Sequence, residues 1–571
     1  MRSHIAKCLE RRRDRIFTSR CHTLNLAFCY ELGFGVRRDI VKYSRTLLRS
    51  HDISIKDLED VFEQLKRNLE PPGFRNGIFR KFLEQGHFNA FDLSQQYREE
   101  QRSREAESRY QREVETMGSV LGDGHGLVQE LRVQLSFLMS SEGRWKDAEK
   151  LQEQVRTIMI EFEGVKCERQ YTGHFHLNLA MIYRQLGRWK EAEDLEVQIM
   201  ETNKRLQGAE DLYTLTNVAN LALIYSDQGK YEAAEKMNRR ALDGREKVLG
   251  VEHPNTLISV NNLALVLRHQ GKYEAAEKMN RRALDGREKV LGVEHPNTLI
   301  SVNNLALVFR HQGKYKAAEE MNRRALDGTE KVLGVEHPDT LISVDNLALV
   351  LQHQGKYKAA EEMYRRALNG REKVLGLEHP NTLISVSNLA TVLQDQGKYK
   401  AAEKMNRRAL NGMEKVLGVK HSNTLTSVSI LASMLQDQGK YKAAEKMNRR
   451  ALNGMEKVLG VKHPNTLTSV DNLASVLQDQ RKYEAAEEMN RRALDGREKV
   501  LGVEHPNTLA SVYRLAYLFH TQKRYNDASD LYLRASEGFS KTLGPYHPKT
   551  RNCSQDYSSM IHEMESQGRD I

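Results

Sequence analysis

The sequence has no long apolar run, no paired cysteines and none of the short motifs that mark common enzyme classes. No stretch approaches the roughly twenty apolar residues that a membrane-spanning helix needs. The first residues, MRSHIAKCLERRRDRIF, are charged throughout and lack the apolar centre of a secretory signal. We therefore expect an intracellular, cytoplasmic protein that does not insert into a membrane.

The cysteines are few and scattered, without a CxxC pair: Cys8, Cys21, Cys29, Cys167 and Cys553. This spacing argues against a zinc knuckle and against a disulfide framework, and it fits a reducing compartment. The GxxxxGK[ST] phosphate loop, the GxSxG elbow and the HExxH zinc motif are also absent from the sequence. We therefore expect no enzyme activity, no catalytic residue, no cofactor and no metal site.

The composition favours an elongated helical array. A chain of 571 residues is too long for one compact core. Its 39% hydrophobic and 29% charged residues suit a helix-rich protein with a thin, continuous buried seam. The net charge of +11 is spread along the chain, because residues 253–294 alone carry seven Lys/Arg against five Asp/Glu. Solubility explains most of such a diffuse excess.

An internal repeat dominates the chain. The segment GKYEAAEKMNRRALDGREKVLGVEHPNTLISVNNLALV occupies residues 229–266 and returns unchanged at residues 271–308. Histidines spaced by 42 residues set the phase of the repeat: His253, His295, His337, His379, His421, His463, His505 and His547. They lie one per unit, too far apart to share a metal at about 2 Å, so we assign them to loops. About ten units fit between residues 125 and 546.

Each unit contains two amphipathic helices. In residues 255–270, apolar residues recur at spacings of three and four, which predicts a first helix, helix A. A second helix, helix B, is predicted from about Tyr273 toward Leu291, after Gly271 ends helix A. One such hairpin leaves an apolar edge that only the next hairpin can cover. The predicted fold class is therefore all-α, a right-handed superhelical solenoid of antiparallel helical hairpins.

The repeat resembles a known family. Leu263-Ala264, Leu267, Gly271, Tyr273, Ala276 and Ala283 fall at the signature positions of the tetratricopeptide repeat (TPR). The 42-residue form with NNLA, GKYxxAE, RRAL, REKVLG and HPxT is similar to the kinesin light chain type of this repeat. The resemblance implies a non-catalytic scaffold that binds peptide segments of protein partners in a concave groove lined by helices A.

Two features depart from the family pattern. Asparagine replaces the usual aromatic residue of helix B at Asn238, Asn280, Asn322, Asn406, Asn448 and Asn490. An unpartnered buried amide costs about 1 to 3 kcal/mol, so we expect it to bond a neighbouring helix or to be partly exposed. Arg481 and Lys523 stand where the turn glycine is expected, which predicts a strained or altered turn.

The ends differ from the repeats. Residues Leu24–Leu48 resemble a Sel1-like repeat, which is itself a helical hairpin. We expect a helical N-terminal region with this repeat over residues 1–60, and a charged helical linker or degenerate repeat over 61–124. The TPR units follow over 125–546, and a capping helix and tail over 547–571.

Asparagines recur along the predicted groove face of helix A. They are Asn178, Asn220, Asn262, Asn304, Asn346, Asn388 and Asn472, and the series is broken by Ile430 and Arg514. An amide offers both a donor and an acceptor, which suits the backbone of an extended peptide. The alternative is that these amides bond the adjacent hairpin and serve the fold alone.

Two further positions on helix A change along the array. The first reads Arg184, Ser226, Arg268, Arg310, Gln352, Gln394, Gln436 and Gln478. The next reads Gln185, Asp227, His269, His311, His353, Asp395, Asp437 and Asp479. The first half of the groove is therefore predicted to be basic and the second half neutral to acidic. We expect an acidic peptide to bind between about the second and the sixth unit, with neutral drift on a wet surface as the alternative.

Two other functions stay open. Arginine pairs such as Arg281-Arg282 recur on helix B. They predict a solvated face with i,i+4 ion pairs, or else a polyanion-binding ladder, although the interleaved aromatics of a single-strand nucleic-acid binder are missing. The chain also begins inside the Sel1-like unit, which is compatible with a sensor segment of a nucleotide-binding or kinase-linked immune-type receptor that lacks its effector module. We do not expect nucleic acid as the partner, and the oligomeric state is open.

Overall fold

The described part of the chain is built from consecutive antiparallel helical hairpins. The structure is a computed structural model that describes residues 126–163 and 172–569 together with a few positions between 107 and 123. Its helices are α1 Gly126–Ser141, α2 Trp145–Glu163, α3 Thr172–Gln185, α4 Trp189–Gln207, α5 Leu212–Asp227, α6 Tyr231–Leu249, α7 Pro254–His269, α8 Tyr273–Leu291, α9 Pro296–His311, α10 Tyr315–Leu333, α11 Pro338–His353, α12 Tyr357–Val374, α13 Pro380–Asp395, α14 Tyr399–Val416, α15 Ser422–Asp437, α16 Tyr441–Leu459, α17 Pro464–Asp479, α18 Tyr483–Leu501, α19 Pro506–Thr521, α20 Tyr525–Leu543 and α21 Pro548–Arg569.

The predicted all-α repeat fold is confirmed. Odd-numbered helices are helix A of their unit and even-numbered helices are helix B. Helix B of the unit quoted above runs over Tyr273–Leu291, as its periodicity predicts, and helix A begins one residue before the predicted start. The last helix, α21, has no helix B after it among the described residues. The Sel1-like segment and the boundary at residue 60 lie outside the described residues.

The histidines of the repeat cap helix A. In α7, the Nδ1 atom of His253 accepts a hydrogen bond from the N–H of Asn255 at 3.1 Å, and Pro254 occupies the first helical turn. Asp211 does the same at the start of α5, where its carboxylate accepts from two backbone N–H groups. Both side chains satisfy donors that a helix start leaves free. The repeated histidine is therefore a helix cap, a role that goes beyond the predicted loop position.

Stacking of the hairpins forms the core. Leu257, Val260, Leu263, Ala264 and Leu267 of α7 are 0–2% exposed, so the predicted apolar stripe is buried. At 25 cal/mol per Å² of apolar surface, each such leucine contributes roughly 2 kcal/mol. Each helix B packs between its own helix A and the helix A of the next unit. Consecutive helices A also contact one another, which places them on the inner side of the curved array.

The chain divides between Asn178 and Leu179 into two compact units, each described by itself. Within residues 179–571, segments 236 residues apart meet along a seam between superhelical turns. The Nε2 atoms of His421, His463 and His505 lie 2.8–3.0 Å from the backbone oxygens of Gln185, Asp227 and His269. Each of these histidines thus caps its own helix through Nδ1 and bonds the end of a distant helix A through Nε2.

The turn glycines matter most at this seam. Gly271 has a φ of 73°, and a Cβ there would lie 2.6 Å from Cδ of Pro506. Gly439 has a similar φ of 71°, but a Cβ there would meet nothing within 4 Å. Arg481 and Lys523 keep the same left-handed turn, with φ of 59° and 60°. The altered turn considered for these two positions is not observed, and their backbone carries the strain of a side chain at positive φ.

Candidate functional site

The inner face of helix A presents one stripe of accessible side chains. In α7 the stripe consists of Ile258, Asn262, Leu265 and His269, which lie three or four residues apart. Ile258 is 40% exposed, although it is an apolar side chain on the inner side of the array. Its equivalents Ile300 and Ile342 are 42% and 45% exposed. The first half of the groove therefore has an accessible apolar row.

The second half of the groove has a different row. The positions equivalent to Ile258 are Thr426 and Thr468, and those equivalent to Leu265 are Ser433 and Ser475. Hydroxyl groups thus replace apolar side chains as the array proceeds. This change is visible in the sequence, but it becomes informative only once the stripe is known to be accessible.

The asparagines of the groove fall into two groups. Asn178 is 1% exposed and donates to Oγ of Ser136 at 2.7 Å. Asn220 donates to Glu196 at 3.2 Å, a carboxyl group whose pKa is raised to about 7 by burial. The others are half-buried, and within the described residues no hydrogen bond occupies their side-chain amides: Asn262, Asn304, Asn346, Asn388 and Asn472. These five amides remain available to a ligand.

The asparagines that replace the family's aromatic residue on helix B are buried. Asn322 donates to the backbone oxygen of Asn346 at 3.1 Å, and Asn448 donates to that of Asn472 at 3.2 Å. These bonds join helix B to the next helix A, as expected for a buried amide. Asn238 and Asn406 are 0% exposed, and neither the Nδ2 nor the Oδ1 of either amide has a partner among the described residues. At these two positions the expected bond or exposure is therefore wrong.

Arginine and histidine form a continuous ladder in the first half of the groove. The Nη1 atom of Arg268 lies 3.0 Å from Nε2 of His311 in the next unit, and its Nη2 lies 3.3 Å from Nε2 of His269. Arg310 repeats this arrangement with His353 and His311, at 3.0 and 3.1 Å. We call these five residues the Arg-His ladder.

The imidazoles of the Arg-His ladder are neutral acceptors. Burial, with a further effect of Arg268, lowers the pKa of His269 to about 4, and burial and Arg310 lower that of His311 to about 2. Each ring also stacks on a tyrosine of the preceding helix B, with centroids 5.4–5.7 Å apart. Burial and the charge of Arg310 lower the pKa of Arg268 to about 10. The two guanidinium charges therefore face neutral partners.

The same positions carry the opposite charge in the second half. Gln352, Gln394 and Gln436 each donate to an aspartate of the next unit at 2.6 Å. Those aspartates are Asp395, Asp437 and Asp479, all exposed. The amide donor leaves the carboxylate charge in place. Near the start of the array a charge meets its opposite at these positions, where Arg184 bonds Asp227. At the other end, Nε2 of His520 lies 3.2 Å from a carboxylate oxygen of Glu563 at the same two positions.

The arginine pairs of helix B are engaged in ion pairs. Arg281 bonds Glu277 four residues earlier, and Arg282 bonds Glu246 of the preceding unit. The same two contacts recur in the following units. Such exposed pairs contribute little to stability, at most about 1 kcal/mol each. They do lower the net positive charge that helix B offers to a polyanion.

The described residues can also be compared with the requirements of a metal site, a disulfide and a membrane-spanning helix. There, no three His, Cys, Asp or Glu side chains come close enough together to hold a metal ion. Cys553, a described cysteine, is a buried free thiol. In the same part of the chain, each helix is too short or too polar to cross a bilayer.

Hairpin stacking, an inner groove of helices A and a 42-residue period define a class of helical repeat scaffold. The family model described as tetratricopeptide repeat matches residues 171–247, 213–289, 254–331, 303–373, 339–415, 422–499 and 468–541. These matches cover well over half of the chain, and the chain belongs to the tetratricopeptide repeat family. No curated protein matches it.

The chain is also similar to several solved structures. A Podosopora anserina protein assigned to the kinesin light chains, with nearly identical TPR-like repeats, is 28% identical; the match covers 36% of this chain and 98% of that one, with a TM-score of 0.32. BtubC (BKLC) of P. vanneervenii is 20% identical over 41% of this chain and 92% of that one, with a TM-score of 0.34. A Rap protein complexed with competence and sporulation factor is 15% identical over 65% and 98%, with a TM-score of 0.45.

Proposed function

We propose that the protein is a non-catalytic scaffold of the cytoplasm that holds an acidic, partly apolar peptide segment of a partner protein in the first half of its groove. The observation that carries this proposal is the Arg-His ladder. Arg268 and Arg310 are partly desolvated, and each bonds only neutral imidazoles among the described residues. A guanidinium group withdrawn from water gains most from an anionic partner, and a carboxylate can accept two parallel hydrogen bonds from it.

The rest of the first half suits the same ligand. Ile258, Ile300 and Ile342 give apolar contacts between 40% and 45% exposed, beside the amides of Asn262 and Asn304. An amide can donate to one peptide group and accept from another, which fixes an extended backbone without reading its sequence. The charge of the Arg-His ladder and the apolar contacts of the isoleucines would then select the side chains of the bound peptide.

The test is binding of a labelled acidic peptide with leucine or isoleucine residues, followed by fluorescence anisotropy. Replacing Arg268 and Arg310 together by glutamine, the residue of the later units, is expected to weaken binding at least about tenfold. The matched control replaces Arg239 and Arg281 on helix B by glutamine, which removes the same charge from exposed ion pairs. Equal weakening in both variants, or binding that does not change between about 0.05 and 0.3 M salt, would contradict the proposal.

The asparagines need a separate test, since they could serve the fold. Asn304→Ala combined with Asn346→Ala is expected to weaken peptide binding and to leave the melting temperature unchanged. A large fall in melting temperature would assign these amides to the fold instead. Asn178→Ala is the comparison, because its amide bonds Ser136 and its loss should lower stability.

A further inference from the structure

A second candidate site lies at the C-terminal end of the groove. A cavity of about 400 Å³ opens there between α17, α18, α19 and α21. Its lining includes the carboxylates of Asp471, Asp479 and Asp556, the guanidinium group of Arg514 and the ring of Tyr517. Carboxylates outnumber cations in this lining, in contrast to the Arg-His ladder in the first half.

One carboxylate in the lining has an unused acceptor. Asp471 is only 3% exposed, and its Oδ2 atom bonds the buried Arg497. Its Oδ1 atom is buried and has no hydrogen-bond partner among the described residues. A buried carboxylate oxygen without a donor is unfavourable, so an N–H group that reaches this atom from the cavity would stabilise it.

The other lining groups suit a cation. Asp479 is exposed and accepts a hydrogen bond from the neutral Gln436 at 2.6 Å. Asp556 accepts a hydrogen bond from the hydroxyl group of Tyr513, which is a neutral donor as well. Tyr517 is 44% exposed and is part of the cavity lining. An aromatic face beside carboxylates attracts a guanidinium or ammonium group.

Arg514 is the opposing charge in the lining. Its Nε atom lies 3.9 Å from Oδ2 of Asp471, and its side chain is 45% exposed. Most other units have asparagine at this position, for example Asn472. The cation that enters the cavity therefore shares the carboxylates with Arg514, and removal of Arg514 should strengthen binding.

An earlier unit contains an equivalent of the buried Asp471–Arg497 ion pair, but different residues surround it. Asp345 bonds the buried Arg371, and its Oδ1 atom likewise has no partner among the described residues. The positions equivalent to Arg514, Tyr517, Asp479 and Asp556 are Asn388, Thr391, His353 and Ile430, so these positions supply neither an exposed tyrosine nor a further carboxylate. The position of Asn490 is occupied there by the buried Tyr364. The buried Asp-Arg pair thus occurs at both Asp345 and Asp471. Of these two copies, the one at Asp471 has the additional carboxylates and the exposed tyrosine that suit a cation.

The geometry points to a binding site for a basic side chain, an arginine or lysine of the partner, in the cavity between Asp471, Asp479, Tyr517 and Asp556. This inference rests on the proposed peptide-binding function of the same groove. Arginine fits better than lysine, because its planar group can donate to two carboxylates while it stacks on the tyrosine ring. The groove then recognises acidic residues in its first half and a basic residue at its C-terminal end.

The probe is a short labelled peptide with one central arginine and neutral flanks, titrated into the full chain and followed by anisotropy. The same peptide with citrulline, which keeps the shape and loses the charge, is expected to bind about tenfold more weakly. Tyr517→Ser, which installs the serine of the preceding unit, should weaken arginine-peptide binding several-fold, and Arg514→Asn should strengthen it. Equal binding of the two peptides, or weaker binding to Arg514→Asn, would overturn the inference.

Asp471→Asn and Asp345→Asn form a matched pair, since each removes one buried carboxylate that bonds a buried arginine. We expect similar losses of stability but a loss of arginine-peptide binding only for Asp471→Asn. If both variants lose binding equally, the effect is on the fold and the site is refuted. Failure of the arginine peptide beside normal, Arg268-dependent binding of the acidic peptide refutes this site alone, whereas failure of the acidic peptide refutes the proposed function.

Discussion

Removal of the histidine bond at the seam between superhelical turns should loosen the array at one defined place. The change is His505→Asn, because asparagine keeps a side-chain acceptor for the start of α19 and is a good helix cap. What is lost is the bond from Nε2 to the backbone oxygen of His269, 3.0 Å long, and the packing of a ring that is 6% exposed. The control is His295→Asn, since His295 caps α9 in the same way.

The expected magnitude follows from these contacts. One hydrogen bond contributes about 1 kcal/mol, and the carbonyl of His269 loses its donor, so His505→Asn should cost about 1–2 kcal/mol. The control should stay within about 0.5 kcal/mol, because among the described residues no group of another turn bonds His295. Chemical denaturation measures the total change in the free energy of unfolding. Hydrogen exchange shows whether the lost protection is concentrated at residues 266–273. Equal losses for both variants would refute the seam as a stabilising contact.

Two further predictions concern the same seam. Gly271→Ala should lower the melting temperature more than Gly439→Ala does. Both substitutions place a side chain at a positive φ, but only at Gly271 would the new Cβ lie 2.6 Å from Cδ of Pro506. Equal melting temperatures of the two variants would contradict this prediction. Burial lowers the pKa of His505 and His547 to about 4, so the unfolded chain binds more protons below its histidine pKa of about 6.5. The contribution of these histidines to stability should therefore be level above about pH 6.5 and fall as the pH drops toward 4, by up to roughly 3 kcal/mol for the deeply buried His505. A difference in denaturation midpoint between the parent chain and His505→Asn that stays constant over this window would exclude it.

The local fold could be predicted from the sequence because each hairpin is encoded by neighbouring residues. The apolar spacing of Leu257 to Leu267 and the glycine at Gly271 suffice to predict the helices and their turn. The seam could not be predicted, since it joins residues 236 positions apart. Their meeting depends on a small rotation between units that accumulates over more than five repeats, and no single unit encodes it.

The candidate site was predicted only in part. The sequence indicates which face of helix A lines the groove, and it shows the change from Arg310 to Gln352. It does not show that each of these residues bonds the following position of the next unit, 43 residues later. The sequence does contain a sign of this pairing. Residues 43 positions apart change together, from arginine with histidine (Arg310 and His353) to glutamine with aspartate (Gln352 and Asp395). The side-chain amide of Asn262 is free, whereas that of Asn220 donates to Glu196 on a helix B. The difference depends on which residue of helix B faces the amide, and this is seen only in the structure.

Photo-crosslinking of the bound acidic peptide tests the central claim most directly. A peptide with a benzophenone group beside its acidic residues is bound to the full chain, irradiated, and the attachment sites are read by mass spectrometry. The Arg-His ladder and the exposed isoleucines predict attachment on α7, α9 and α11, within residues 254–353. Attachment on even-numbered helices, or only on α15 and α17, would contradict a basic groove in the first half of the array.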